Sequence, residues 1–160
     1  MSLQTSSPEL SLSNPDLGAL LRGILGKGSS ARFRAKGFSM SPFIKDSDVV
    51  TVSPCSPAGL HSGDIAACTC GASSRLVIHR IVGKRGEMFL VKGDNLAGSD
   101  GLFHGSQMLG RITRVERNGR NMRIGLGAER RLIALFSRFH ILPLLITPAR
   151  ILFRARKKIA

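Results

Sequence analysis

Three separate segments of the chain carry side chains from which a serine nucleophile could be activated. Ser39 lies in a stretch bounded by Gly37 and Pro42, His79 interrupts an apolar run, and Asp94 follows the next apolar run. A hydroxyl, an imidazole and a carboxylate are the groups that generate and support such a nucleophile. Ser39 and Asp94 could equally have a purely structural role, because serine and aspartate are frequent in turns. The pattern therefore predicts a hydrolytic site if the fold brings the three groups together.

Four short motifs make this prediction more specific, and they occur in order between about residues 37 and 110. They are Ser39-Met40-Ser41-Pro42, Gly63-Asp64-Ile65, His79-Arg80-Ile81-Val82, and Gly93-Asp94-Asn95 followed by Asp100. In this order they resemble the boxes of the signal-peptidase and LexA-type serine peptidases, most closely the endoplasmic-reticulum and archaeal branch. The resemblance implies a peptidase in which Ser39 attacks the peptide carbonyl and His79 is the general base.

The resemblance offers two carboxylates that could orient the imidazole of His79, namely Asp100 and Asp94. We favour Asp100 in this role and expect Asp94 to build the turn. A lysine base, which bacterial signal peptidases and LexA-type proteins use, is not expected, because no lysine occurs between Lys45 and Lys84. Histidine suits the role, since an unperturbed imidazole is mostly neutral at physiological pH, whereas a lysine needs strong desolvation to lose its proton.

The residues before the nucleophile depart from the signal-peptidase pattern. Gly37 and Phe38 stand where that family usually has Ser-Gly, so no side-chain hydroxyl is available there to bind the oxyanion. We expect backbone N–H groups around Phe38 and Ser39 to bind it instead. The resemblance further implies a substrate with small side chains before the scissile bond, as in signal or leader peptides. It implies no metal and no organic cofactor.

The charge of the chain is concentrated in its C-terminal third. The 160 residues carry a formal net charge of +14, and residues 111–160 alone hold 13 basic residues against two acidic ones. Apolar residues are interleaved with this basic cluster, which favours a segment lying on an anionic membrane surface over a nucleic-acid partner. We see no cleavable signal and no apolar stretch of membrane-spanning length. The expectation is peripheral membrane association on either side, the cytoplasmic side included.

Short apolar runs bounded by Gly, Pro, Ser and Asp predict a mostly β fold, and Asn118-Gly119 predicts a hairpin turn. By resemblance this is a LexA/signal-peptidase-like domain with short flanking amphipathic helices. We divide the chain into a flexible N-terminus with a short helix (1–29), a peptidase β domain (30–127) and a basic amphipathic segment (128–160). In the last segment an apolar stripe follows helical spacing: Leu132, Leu135, Phe136 and Phe139.

The three cysteines, Cys55, Cys68 and Cys70, are expected to be free thiols. Their number is odd, and Cys68-Thr69-Cys70 has no nearby third and fourth ligand for zinc.

Three other interpretations remain beside the peptidase. A self-cleaving LexA-type regulator is disfavoured, because only about 30 residues precede the β domain, too few for a helix-turn-helix module. Its cleavage site should also precede the nucleophile box, whereas Cys70-Gly71 follows it. A catalytically inactive, peptide-binding relative and a β domain whose boxes are only structural turns are the other two.

Overall fold

The structure is a computed structural model, and it describes residues 13–71 and 74–139. Two helices flank eight strands in this part of the chain: α1 (Asn14–Gly26), β1 (Ala31–Arg34), β2 (Val49–Pro54), β3 (Ile65–Cys70), β4 (Arg75–Arg85), β5 (Met88–Lys92), β6 (Gly101–His104), β7 (Met108–Arg117), β8 (Arg120–Met122) and α2 (Arg130–Arg138). The prediction of a mostly β domain with short flanking helices is confirmed. The N-terminal residues predicted to be flexible lie outside the described residues, apart from Ser13.

The strands form one curled antiparallel sheet in the order β1-β2-β7-β3-β4-β5-β6, with β8 paired to β7. Asn118-Gly119 forms the β7–β8 turn, as predicted, with positive φ at both residues. After this turn the sequence predicts a second hairpin strand over Asn121–Leu126, but the observed strand β8 ends at Met122. The chain turns there instead, and Gly125 (φ +94°) packs so closely on Phe43 that a Cβ would lie 2.8 Å from its ring.

Strand β4 is covered on both faces, which explains why its sequence is a nearly continuous apolar run. Successive side chains of a strand point to opposite faces. Leu76 and Ile78 contact the core cluster that contains α1, whereas Val77 and Ile81 contact the second cluster around Phe89 and Phe103. His79 therefore shares the face of Val77 and Ile81, and its neighbour Arg80 projects from the other face.

The sequence Asn14-Pro15-Asp16 predicts an N-cap at Asn14, but helix α1 begins one residue earlier. Ser13 is the N-cap and Asn14 is the first helical residue. The Asn14 side chain instead pairs with the backbone of β4, donating to the Leu76 C=O at 3.1 Å and accepting from the Leu76 N–H at 2.6 Å. Leu21 and Leu25 are buried in the core. The helix therefore packs against the sheet.

Helix α2 packs against the domain through the face opposite to the predicted stripe. Ile133, Ala134 and Ser137 are buried, and the buried Lys92 ammonium of β5 donates to the Ser137 C=O at 2.8 Å. Burial lowers the pKa of Lys92, and Asp94 partly opposes this. The apolar stripe itself faces outward, at 39–62% exposure.

No helix among residues 13–71 and 74–139 is long and apolar enough to cross a membrane. The remainder of the basic segment, from His140 to the terminal Arg and Lys cluster, lies outside the described residues.

Candidate active site

Ser39, His79 and Asp100 form a continuous chain of hydrogen bonds. The Ser39 Oγ lies 2.8 Å from His79 Nε2, and His79 Nδ1 lies 2.5 Å from an Asp100 carboxylate oxygen. The three residues come from the turn after β1, the middle of β4 and the residue before β6. The Asp100 N–H is fixed by a 2.9 Å bond to the Val91 C=O of β5. Folding thus assembles groups separated by 40 and 21 residues in the sequence.

The partners of His79 determine where its proton lies. An ionised carboxylate only accepts hydrogen bonds, so Nδ1 carries the proton that faces Asp100. Nε2 is then the acceptor for the Ser39 hydroxyl, which is the orientation that a general base requires. The imidazole is buried at 5% exposure, while Ser39 remains partly exposed. An incoming group can therefore reach the hydroxyl while the imidazole behind it is shielded from water.

Asp94, the alternative orienting carboxylate, does not contact this imidazole. It forms a bidentate ion pair with Arg80, in which three N–O distances lie between 2.8 and 3.1 Å. Both side chains are fully buried. Arg80 also donates to the Gly63 and Gly125 carbonyls and lies over the Phe43 ring. Asp94 therefore ties the turn after β5 to β4, and Asp100 is the carboxylate at His79.

The turn that carries Ser39 is held from the side of β2 and β7. Gly37 adopts φ +95°, which favours glycine, and its N–H donates to Asp46 at 2.8 Å. Asp48 accepts the Lys45 N–H and both arms of Arg117, at 2.7 and 2.9 Å. Burial by itself raises the pKa of Asp48, but Arg117 and the Lys45 N–H outweigh it, and the net shift is downward. Asp46 and Asp48 therefore cap local structure on either side of the turn that carries Ser39.

Backbone N–H groups without a protein acceptor among residues 13–71 and 74–139 lie beside Ser39. The Ser41 and Phe43 amides donate to carbonyls within the turn. Within the described part of the chain, the Ser39 and Met40 amides donate to no protein acceptor. The Phe38 side chain, 68% exposed, lies at the surface next to Ser39. Two adjacent N–H groups beside a nucleophile have the composition of an oxyanion hole.

The other titratable candidates lie apart from this chain of hydrogen bonds. His61 is largely exposed, near Asp64, and His104 is bonded to Ser106 and Glu87 at the surface. The Cys68 thiol is buried, and burial together with the Asp100 and Cys70 charges raises its pKa.

All three cysteines are free thiols. No group of three or more His, Cys, Asp or Glu side chains in the described ranges could hold a metal ion.

Three supporting residues were not anticipated from the sequence. Arg80 and Asn95 lie inside the recognised motifs, but the motifs do not predict that Arg80 pairs with Asp94 or that Asn95 donates to the Phe38 C=O. Arg117 is 69 residues from Asp48 in the chain, and no local pattern indicates that contact.

A hydroxyl, an oriented imidazole, a carboxylate and adjacent backbone donors can together perform acyl transfer. No protein-family model, curated protein or solved structure matches this chain.

Proposed function

We propose that the protein is a serine endopeptidase of the signal-peptidase type. The observation that supports this is the hydrogen-bonded series Ser39–His79–Asp100, in which the base is buried and the hydroxyl is accessible. The four ordered motifs provide the second support, because their residues include all three members of the series. Signal or leader peptides are the substrate class that the motif resemblance implies.

In the proposed reaction the Ser39 Oγ attacks the peptide carbonyl carbon while His79 Nε2 takes the hydroxyl proton. The tetrahedral intermediate collapses, the C–N bond breaks, and His79 returns the proton to the departing amine. Water then attacks the Ser39 ester with His79 again acting as base, which releases the acid product. Asp100 keeps the imidazole in one tautomer and stabilises its positive charge during both steps.

The test is cleavage of a panel of signal and leader peptides by the full chain, with the cut mapped by mass spectrometry. Ser39→Ala should reduce kcat/KM by about 10⁴-fold or more, as removal of a nucleophile does in other serine peptidases. Ser106→Ala is the matched control, because Ser106 is also bonded to a histidine but lies at the exposed surface. Undiminished cleavage by Ser39→Ala would refute the proposal.

The same experiment separates the alternatives. A self-cleaving regulator would cut its own chain during incubation without added peptide, and Ser39→Ala would stop that reaction. An inactive relative would bind the peptides and leave them intact in both wild type and variant.

We propose in addition that the C-terminal segment holds the enzyme on an anionic membrane surface. The support is that α2 keeps Leu132, Leu135, Phe136 and Phe139 outward although it packs against the sheet. An apolar helix face gains free energy by burial at the headgroup boundary, and each nearby basic residue adds about 1 kcal/mol at an anionic surface. This attachment would bring the enzyme to the place where preproteins emerge.

Vesicle co-sedimentation tests the attachment independently of catalysis. The full chain should sediment with anionic but not neutral vesicles, and high salt should weaken the binding. Leu135→Glu should reduce it, whereas Leu102→Glu, at an exposed leucine on β6, should not. Equal loss with both variants, or no binding at low salt, would contradict the proposal.

A further inference from the structure

Asn95 contacts both peptide units that flank the candidate nucleophile. Its backbone N–H donates to the Ser39 C=O at 2.8 Å, and its side-chain Nδ2 donates to the Phe38 C=O at 3.1 Å. These two carbonyls belong to the peptide units 38–39 and 39–40. The N–H groups of the same units are those of Ser39 and Met40, which have no protein acceptor in the described part of the chain.

Peptide geometry connects these bonds to catalysis. A trans peptide unit is planar, and its C=O and N–H point in opposite directions. The only cis bond among the described residues is Ser41–Pro42, so both units at Ser39 are trans. A donor that fixes the direction of a carbonyl therefore fixes the direction of the N–H on the same unit. It also polarises the unit, which makes that N–H a stronger donor.

We propose that Asn95 is a positioning residue that aims the Ser39 and Met40 amides at the oxyanion. The inference rests on the proposed peptidase function and specifies how its transition state is stabilised. Gly37, two residues before Ser39, has no side chain that could bind the oxyanion, so backbone donors such as these amides must supply the hydrogen bonds on this side. Asn95 acts through the backbone and does not itself touch the substrate.

The site leaves little freedom for other arrangements. A Cβ at Gly93 would lie 2.9 Å from the Ser39 C=O, so the turn of Asn95 and the turn of Ser39 are already in close contact. The Phe38 C=O also accepts the Ser41 N–H at 3.1 Å, inside the nucleophile turn. Loss of the Asn95 side-chain donor leaves this second bond, so we expect the turn to remain folded while the 38–39 unit, held by one donor instead of two, gains freedom to reorient.

The first experiment measures positioning directly and does not depend on activity. Backbone ¹⁵N relaxation is compared in wild type, Asn95→Ala, Asn95→Asp and the control Asn121→Ala, an exposed asparagine on β8. The order parameter of the Ser39 amide should fall in both Asn95 variants and stay unchanged in the control. The order parameter of the Met40 amide should change less, because the bond from the backbone N–H of residue 95 to the Ser39 C=O persists in both variants. An unchanged Ser39 amide would overturn the inference.

The second experiment measures the catalytic consequence with a peptide that the wild type cuts. Removal of one oxyanion donor costs about 10²–10³ in kcat, so a misdirected donor should cost about 10- to 100-fold. KM and the acid limb of the pH profile should not change, because the Ser39–His79–Asp100 bonds remain.

Transition-state affinity should fall with the rate. A peptide aldehyde that forms a hemiacetal with Ser39 should bind the Asn95 variants more weakly by the same factor. An uncleavable peptide should bind them equally well. Disordered amides with unchanged kcat and aldehyde affinity would overturn the oxyanion role. Absence of any Ser39-dependent cleavage by the wild type would instead refute the proposed function, and the relaxation data would still decide the positioning.

Discussion

The two aspartates of the Gly-Asp-Asn region should separate into a structural and a catalytic residue when each is replaced. Asp94→Ala leaves the Arg80 guanidinium buried without its carboxylate, since both side chains are 0% exposed. Breaking a buried pair from one side costs about 3–5 kcal/mol. For a domain of this size that corresponds to a fall in Tm of about 6–20 °C. Such a loss is a large share of the free energy of unfolding of an ordinary domain.

Asp100→Asn should give the opposite result. The Asp100 side chain is 19% exposed, and among residues 13–71 and 74–139 the only side chain that it contacts by a hydrogen bond is His79. Asp100→Asn should change the free energy of unfolding by less than about 1 kcal/mol, because the Asp100 side chain is partly exposed and solvent can bond to its replacement. The rate should fall by about 10⁴-fold, because an amide at this place favours the wrong imidazole tautomer, as in other serine peptidases.

Urea unfolding followed by far-ultraviolet circular dichroism measures the stability difference, since the chain contains no Trp or Tyr for fluorescence. The double variant Arg80→Met/Asp94→Leu is the control, and it should recover much of the stability lost in Asp94→Ala. The reasoning is refuted if Asp94→Ala unfolds at the wild-type urea concentration. It is also refuted if Asp100→Asn loses as much stability as Asp94→Ala does.

Three further predictions follow from individual contacts. His79→Ala should remove most of the activity together with the acid limb of the kcat/KM profile, because protonation of the imidazole eliminates the base; a limb that persists in the variant would assign the base elsewhere. The lowered pKa of Asp48 means that its contribution to stability is present above the ordinary value of 3.8 and is lost as the pH falls through the folded-state pKa. Asp48→Asn should therefore be less stable than wild type at pH 7, and the difference between the two urea midpoints should shrink as the pH falls below 3.8. Gly93→Ala should lower kcat, because the added methyl group would lie 2.9 Å from the Ser39 C=O and 2.8 Å from the Leu96 side chain, so that the Ser39 turn must shift. An unchanged kcat would show that the shift is taken up elsewhere.

The sequence by itself predicted the fold class and the residues of the candidate site. Alternating and continuous apolar runs, interrupted by Gly, Pro and Asn-Gly signals, are local consequences of strand and turn geometry, so most strands could be located without coordinates. The edge strands β1 and β6 were not singled out, because four residues each are too few to give a clear pattern. Ser39 and His79 are predictable because a serine in a Gly-to-Pro turn and a histidine inside an apolar run both lie within recognisable motifs.

Tertiary structure alone decided which aspartate faces the imidazole and which side of α2 is buried. His79 and Arg80 are adjacent in sequence, but they project from opposite faces of β4 and so receive different carboxylates, Asp100 and Asp94. Helical periodicity in the sequence indicates the large apolar stripe of α2. The face that is actually buried contains the small residues Ala134 and Ser137, and the Ser137 C=O is the acceptor that the buried Lys92 ammonium requires. Periodicity and spacing constrain neighbours along the chain, but the partner of a side chain depends on residues that folding brings from far away.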